Sequence, residues 1–324
     1  MRRLRGCATI RNPREVVRET VEAPLTNTES RSYEVLDAAR ITHPDRILWT
    51  DVGLTKLGLA EFYVEVADRI LPHIVNRPLS LLRCPSGVGE ECFFQKRAWQ
   101  GLDEALVQRI RIGDDEALAI RDLSGLIALV QASVLEIHPW GSSLESPEKP
   151  DRVIFDLDPG EGVEWSSIVL GAEEVRDRLS ALSLESFVKT SGGKGLHVVL
   201  PIVPRSSWED VKQFSADVAS AMAKDSPDLY TDTIAKRART GRIFVDYLRN
   251  GRGATAVSAY STRSREGAPV STPVEWRELN ALRSGNQYRV ENLPSRLRHL
   301  GRDPWAGFAE VSQTLPQKKQ ARKR

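Results

Sequence analysis

The order strand–helix–strand–strand–helix–strand over residues 152–248 predicts an α+β fold: a split βαβ sheet covered by helices on one face. Three observations carry this. Arg152-Val-Ile-Phe-Asp-Leu-Asp-Pro-Gly160 is an apolar run rich in β-branched and aromatic residues, closed by Pro-Gly, and reads as a buried strand ending in a turn. From Trp165 to about Leu182, residues Ile168, Val169, Ala172, Val175 and Leu179 recur on one helical face. Two further strands, Phe187–Thr190 and Leu196–Ile202, are joined by Ser191-Gly-Gly-Lys-Gly195. A second helix then opens at a capping-box variant, Ser207 with Asp210, and runs to about Lys224 before the strand Arg242–Leu248.

Upstream, residues 1–40 are polar and basic without useful periodicity, an arm with at most one short helix. The folded body starts at Ile41-Thr-His-Pro-Asp-Arg-Ile-Leu-Trp49. A helix is predicted from Thr55 to Leu71, with Leu59, Phe62, Val66 and Ile70 at helical spacing and Pro72 after it. Pro78–Cys84 reads as a strand, and Cys92-Phe-Phe-Gln-Lys-Arg97 follows a Gly-rich turn. Two adjacent phenylalanines in a basic setting are expected as one core ring and one exposed ring. Leu126–Val130 and Val134–His138 are further apolar segments, and Ser146-Pro-Glu-Lys-Pro150 resembles a hinge. The expected division is therefore an arm over 1–40, a body over 41–303 and a loose basic tail over 304–324. Within the body, an N-terminal α/β module spans about 41–150 and the motif-bearing part 151–265.

At 324 residues the chain can bury one large core or two modest ones. Three cysteines without Cys-x-x-Cys spacing indicate neither a disulfide framework nor a zinc site; Cys84 and Cys92 flank a Pro/Gly-rich loop but are expected as structural thiols. No apolar run approaches the ~18 residues of a membrane span, and the Arg-rich start lacks the apolar region of a secretory signal. A cytoplasmic, nucleoid-associated home is expected. The net charge of +2 hides basic clusters at Arg2–Arg18 and Lys318–Arg324, which suit polyanions.

Side chains alternate across a strand, so Asp156 and Asp158 share one face while Phe155 and Leu157 take the other. Two carboxylates about 7 Å apart repel unless a cation sits beside them. Asp246 lies mid-strand among apolar neighbours, expensive unless paired or metal-bound. If strands 153–158 and 242–248 are neighbours, the three converge as hard oxygen ligands suited to Mg²⁺ or Mn²⁺ and to two-metal phosphoryl transfer. Ser191-Gly-Gly-Lys-Gly-Leu-His197 supplies a positive pole through backbone N–H groups, Lys194 and His197. It is not a Walker A loop, since Gly195 replaces the required Ser/Thr. By itself such a turn is more often a plain hairpin; beside Asp-x-Asp it reads as a phosphate loop.

Together, Phe155-Asp-Leu-Asp-Pro159, Ser191–His197 and Val245-Asp-Tyr-Leu-Arg-Asn250 resemble the three signature motifs of the archaeo-eukaryotic primase superfamily. More narrowly, they resemble the polymerase domain of bacterial ligase D, as do Thr42–Arg46, Cys92–Lys96, Leu135–His138 and Ala259–Arg265. The similarity covers about residues 41–300. It implies a primase-polymerase fold and a DNA-dependent nucleotidyltransferase favouring ribonucleotides and two Mn²⁺ (or Mg²⁺) ions, filling gaps or extending ends at 5′-phosphorylated breaks. Asp156, Asp158 and Asp246 would be catalytic metal ligands. Ser191, Lys194, His197, Arg249, Arg263 and Arg265 would bind the NTP or dNTP, with His138 near the sugar. His43, Arg46 and Lys56 would grip the DNA 5′-phosphate, and Phe93 and Phe94 would pack against the template.

The chain holds no ligase or phosphoesterase module, so the expected partners are gapped or broken double-stranded DNA, a separate DNA ligase and Ku, with the chain itself a monomer and no membrane involved. A stand-alone gap-filling role in excision repair is the alternative pathway. Two rivals differ in chemistry. A haloacid-dehalogenase-type phosphatase also places Asp-x-Asp after a strand, but Pro159-Gly160 follows here and no doubly wound repeat does. A non-catalytic DNA-end binding module would not need all three acidic positions, which are intact.

Overall fold

The computed structural model describes residues 41–316; the expected arm and the basic run from Lys318 lie outside them. The chain opens with β1 (Ile47–Trp49) and β2 (Leu54–Thr55), then α1 (Lys56–Glu65), whose first turn is capped by Thr55 Oγ accepting from Gly58 N–H. The single helix expected over 55–71 is two, because the chain kinks at Val66 before α2 (Ala67–Ile74), which contains Pro72. Pro72 lies within α2, where its ring crowds the Asp68 carbonyl four residues back and removes one N–H; the break at Val66 lies upstream of that carbonyl.

The N-terminal sheet comprises β3 (Leu79–Arg83), β4 (Phe93–Gln95), β5 (Val107–Ile112), β6 (Asp115–Ile120) and β7 (Val134–Pro139), with α3 (Leu123–Gln131) between the last two. β3 pairs antiparallel with both β4 and β7. The β5–β6 hairpin was not anticipated, although its alternation and the Gly113 turn are present in the sequence. Cys84 and Cys92 correct the expectation of free thiols. Arg83 faces Phe93 in the β3–β4 register, so the two cysteines are the next pair, and they form a disulfide with Cα atoms 4.4 Å apart.

The central sheet is built from β8 (Arg152–Pro159), β9 (Phe187–Thr190), β10 (Leu196–Pro201), β11 (Tyr230–Thr231), β12 (Ile243–Asp246) and β13 (Pro273–Val274), in the order β11-β12-β8-β10-β9-β13. Helices α4 (Trp165–Ala181) and α5 (Trp208–Asp225) cover one face, and the Ser207/Asp210 capping box forms as expected. Val153, Phe155 and Leu157 bury against them. Ile154, Phe187 and Val199 turn the other way and join the core of the N-terminal module. The sheet is thus sandwiched, and the edge of that second interface is where Asp156 and Asp158 emerge.

Two further expectations are corrected. The hinge at 146–150 is pinned, since Pro147 C=O accepts from Ser142 Oγ and Trp208 Nε1 while Glu148 pairs with Arg252. The chain beyond Pro304 is packed rather than loose as far as Leu315. Trp305 and Phe308 stack at 4.9 Å, Trp305 Nε1 donates to Val188 C=O, and Gln313 bonds Glu185 and Pro201. Large aromatic side chains carry enough apolar area to anchor a short segment on their own. A last helix, α6 (Leu293–His299), precedes this segment.

Candidate active site

β8 and β12 pair so that Asp246 faces Asp156 and Phe244 faces Asp158; β10 places His197 beside Asp156 on the other side. One register further, Lys189 on β9 faces His197. The row Asp246–Asp156–His197–Lys189 therefore runs across one face of four strands, two anions beside two nitrogen bases. Asn250 holds the end of β12 against β8, accepting from Ile154 N–H and donating to Ile154 C=O as a strand partner would.

Burial would raise the Asp156 carboxyl, but His197, 3.3 Å away, and the nearby Arg249 hold it well below the usual range. Asp158 and Asp246 behave oppositely: burial first, and the Asp156 charge as well, push both up. Arg239 Nη1 lies 2.8 Å from Asp158, and Arg249 Nε lies 3.2 Å from Asp246 and 3.5 Å from Asp156. Two guanidiniums thus balance three carboxylates. Asp246 Oδ1 also accepts from Leu248 N–H. In this arrangement no three His, Cys, Asp or Glu side chains among the described residues close around a single ion.

The loop between β9 and β10 lies directly on β8: a Cβ on Gly195 would meet Leu157 O at 2.0 Å, so only glycine fits. Ser191 Oγ accepts from Gly193 N–H and Gly195 N–H, so this hydroxyl shapes the loop itself. Lys194 is exposed at its tip. His197 is buried, and burial with the Lys189 charge pushes it down to about 4. Its Nδ1 has no hydrogen-bond partner among the described residues.

Glu136 and His138 lie two apart on β7 and share a face. Glu136 Oε2 accepts from His138 Nε2 at 2.8 Å and from Arg263 Nε at 2.9 Å. Arg263 Nη1 donates to Ser191 C=O at 2.6 Å, so Arg263 is a tether between the N-terminal sheet and the loop. Arg265 is exposed, with its guanidinium 3.5 Å from where a Gly193 Cβ would stand.

His43, Arg46 and Lys56 are brought together by one turn, in which Arg46 N–H donates to His43 C=O and Lys56 N–H to Arg46 C=O. His43 and Arg46 are exposed. Lys56 is buried, its Nζ donating to Thr42 C=O at 3.0 Å and to Gln131 C=O at 3.3 Å, and burial with the Arg46 charge lowers its pKa. Phe93 and Phe94 depart from the expectation of one core ring, being 40% and 56% exposed on the short edge strand β4. Phe94 meets the His138 ring edge-on at 5.3 Å.

Glu136, Lys189 and Arg239 were not singled out from sequence. Glu136 and Lys189 carried a signal, each a charge inside an otherwise apolar strand. Arg239 sits in the basic stretch Lys236-Arg-Ala-Arg239, where nothing marks one arginine from the next.

No helix among the described residues is long and apolar enough to cross a membrane. Residues 55–305 match the family model described as LigD, primase-polymerase domain. The multifunctional non-homologous end joining protein LigD of Pseudomonas aeruginosa is 41% identical over 280 residues, 85% of this chain and 33% of that protein. Its namesake in Mycolicibacterium smegmatis is 33% identical over 252 residues, 76% of this chain and again 33% of the relative. The chain thus spans about a third of the length of these relatives. Among solved structures, the polymerase domain of Mycobacterium tuberculosis ligase D in complex with DNA superposes with a TM-score of 0.74 at 31% identity, covering 81% of this chain and 94% of that one. With its helix-backed split βαβ sheet and this match over three quarters of its length, the chain belongs to the LigD primase-polymerase family, a family of nucleotidyltransferases.

Proposed function

We propose that this chain adds nucleotides, ribonucleotides in preference, to DNA ends or short gaps bearing a 5′-phosphate, as the polymerase step of end joining. The observation that carries this reading is the Asp246–Asp156–His197–Lys189 row beside the Gly195 loop, an anionic pole and a cationic pole in contact. The relatives' names favour end joining over gap filling in excision repair.

The donor set fits two Mn²⁺ or Mg²⁺ ions: Asp156, Asp158 and Asp246 offer only hard oxygens, and each is presently balanced by an arginine that a cation can replace. Such ions, when bound, activate a primer 3′-hydroxyl and neutralise the leaving pyrophosphate. The chain's own residues do the rest. Lys194, Arg265 and Arg249 would hold the triphosphate, and the Ser191 loop, tethered by Arg263, sets its distance from the carboxylates. His138 faces the sugar, while Phe93 and Phe94 offer exposed rings for template bases. Arg46 and His43, on the turn held by Lys56, meet the 5′-phosphate. Ku and a ligase acting on the same break are the partners this role calls for.

Gapped DNA with a 5′-phosphate, Mn²⁺ and either nucleotide series tests the reading. Templated extension, faster with ribonucleotides, is expected. Binding without extension would leave a DNA-end module instead.

A further inference from the structure

Glu136 is a buried carboxylate, 3% exposed, whose two oxygens take four hydrogens. Oε2 accepts from His138 Nε2 and Arg263 Nε; Oε1 accepts from Ser264 N–H at 2.9 Å and Ser264 Oγ at 2.8 Å. Burial raises its pKa, but the bonds from His138 and Arg263 outweigh burial and hold it down to about 2. An ionised carboxylate only accepts, so His138 Nε2 must carry the hydrogen. Burial also keeps the His138 ring from taking a second proton. Nδ1 is then a bare lone pair. It has no partner among the described residues and, unlike His197 Nδ1, is not sealed from solvent.

We propose that Glu136 is the positioning residue for sugar selection: by fixing His138 in its Nε2–H form it presents Nδ1 as an acceptor to a sugar hydroxyl. The inference rests on the reading that His138 faces the sugar of the incoming nucleotide. A hydroxyl can donate to Nδ1, whereas a bound deoxy sugar shields that lone pair from water without offering a donor. The same carboxylate holds Arg263, and through it the Ser191 carbonyl, so the sugar contact and the phosphate loop share one anchor. Replacing the carboxylate by an amide puts an NH₂ group against a donor at either position, Arg263 Nε–H on one side or Ser264 N–H on the other, so the four-bond anchor breaks and the hydrogen of His138 is no longer fixed on Nε2.

The test is a double-mutant cycle of Glu136→Gln and His138→Ala, reading the ratio of kcat/KM for ribo- over deoxyribonucleotide on one gapped DNA with Mn²⁺ fixed. Each single variant should lower the ratio roughly tenfold or more, and the double variant should lie no lower than His138→Ala alone. If the wild-type ratio is near one, or His138→Ala leaves it unchanged, the sugar reading fails and takes the proposal with it. If His138→Ala abolishes the preference while Glu136→Gln keeps it, or the two effects multiply, the sugar reading stands and the role of Glu136 is refuted. Long-range ¹H–¹⁵N spectra of the wild-type protein, with only five histidines to assign, read the tautomer without any variant: Nε2–H on His138 is expected, and Nδ1–H overturns the proposal even if Glu136→Gln fails to fold.

Discussion

Asp246 stands directly across the antiparallel register from Asp156. Their carboxylates share one arginine, Arg249, rather than each having its own. The consequence is an unequal pair. Asp156, also backed by His197, keeps its charge easily, while Asp246 carries the strain of the cluster.

Asp246→Asn should therefore abolish extension and stabilise the metal-free fold. A neutral amide cannot balance divalent ions, and a drop on the order of 10³ in kcat is expected. The sign for stability follows from the raised pKa: the folded state disfavours ionised Asp246, so its charge costs stability at neutral pH and that cost vanishes as pH falls toward the ordinary carboxylate range. Thermal melts in chelator should show the variant ahead at pH 7 and level with wild type near pH 4. Wild-type rates from the variant would remove Asp246 from the machinery.

Acid should weaken the fold through two histidines. Burial holds His73 down to about 3 and His197 to about 4, whereas an unfolded histidine takes its proton near 6.5. Stability tied to the neutral rings is thus full above about 6.5 and lost as pH drops toward those values. His73→Phe, which keeps the aromatic contacts with Trp305 and Phe308, should recover on the order of 2 kcal/mol at pH 4.5 in denaturant titrations. A pH profile unchanged by the substitution would mean His73 is already charged in the fold.

How much of this was legible beforehand depends on what kind of interaction fixes each piece. The split βαβ order, the capping box at Ser207 and the shared face of Asp156 and Asp158 follow from local periodicity, which the residues display directly. The helix end expected at Leu71 came from taking Pro72 as a terminator, whereas the second helix runs through it to Ile74; the break at Val66 carries no proline or glycine to mark it. Trp305 and Phe308 looked like part of a tail because their partners, His73 and Phe187, lie far back in the chain. The Cys84–Cys92 bond needed the β3–β4 register, and Arg239 needed the fold to single it out.

The C-terminal packing predicts that Trp305→Ala costs about 3–5 kcal/mol, as for other buried tryptophans. Urea melts of the full chain measure it. A cost below about 0.5 kcal/mol would return the segment to the status of a tail.

Arg46 and Lys56 should separate cleanly. The Arg46 side chain is exposed and donates to Pro85 C=O, so Arg46→Ala should remove preference for 5′-phosphate over 5′-hydroxyl gaps at nearly unchanged stability. Lys56→Ala removes the ammonium that pins Thr42 and Gln131, so preference and melting temperature should fall together. Binding titrations on both gapped DNAs, run beside thermal melts, decide this. Equal affinity of wild-type protein for the two gaps would dispose of the pocket.

The contact between Gly195 and the Leu157 carbonyl makes the loop and β8 a fixed caliper. Because backbone rests on backbone, the spacing between the loop and the end of β8 is set by main-chain contact, and only side chains such as Lys194 are left to adjust. Under the proposed function, that spacing would set the reach between the triphosphate and the carboxylates. An alanine at 195 would open the jaws before it altered any charge.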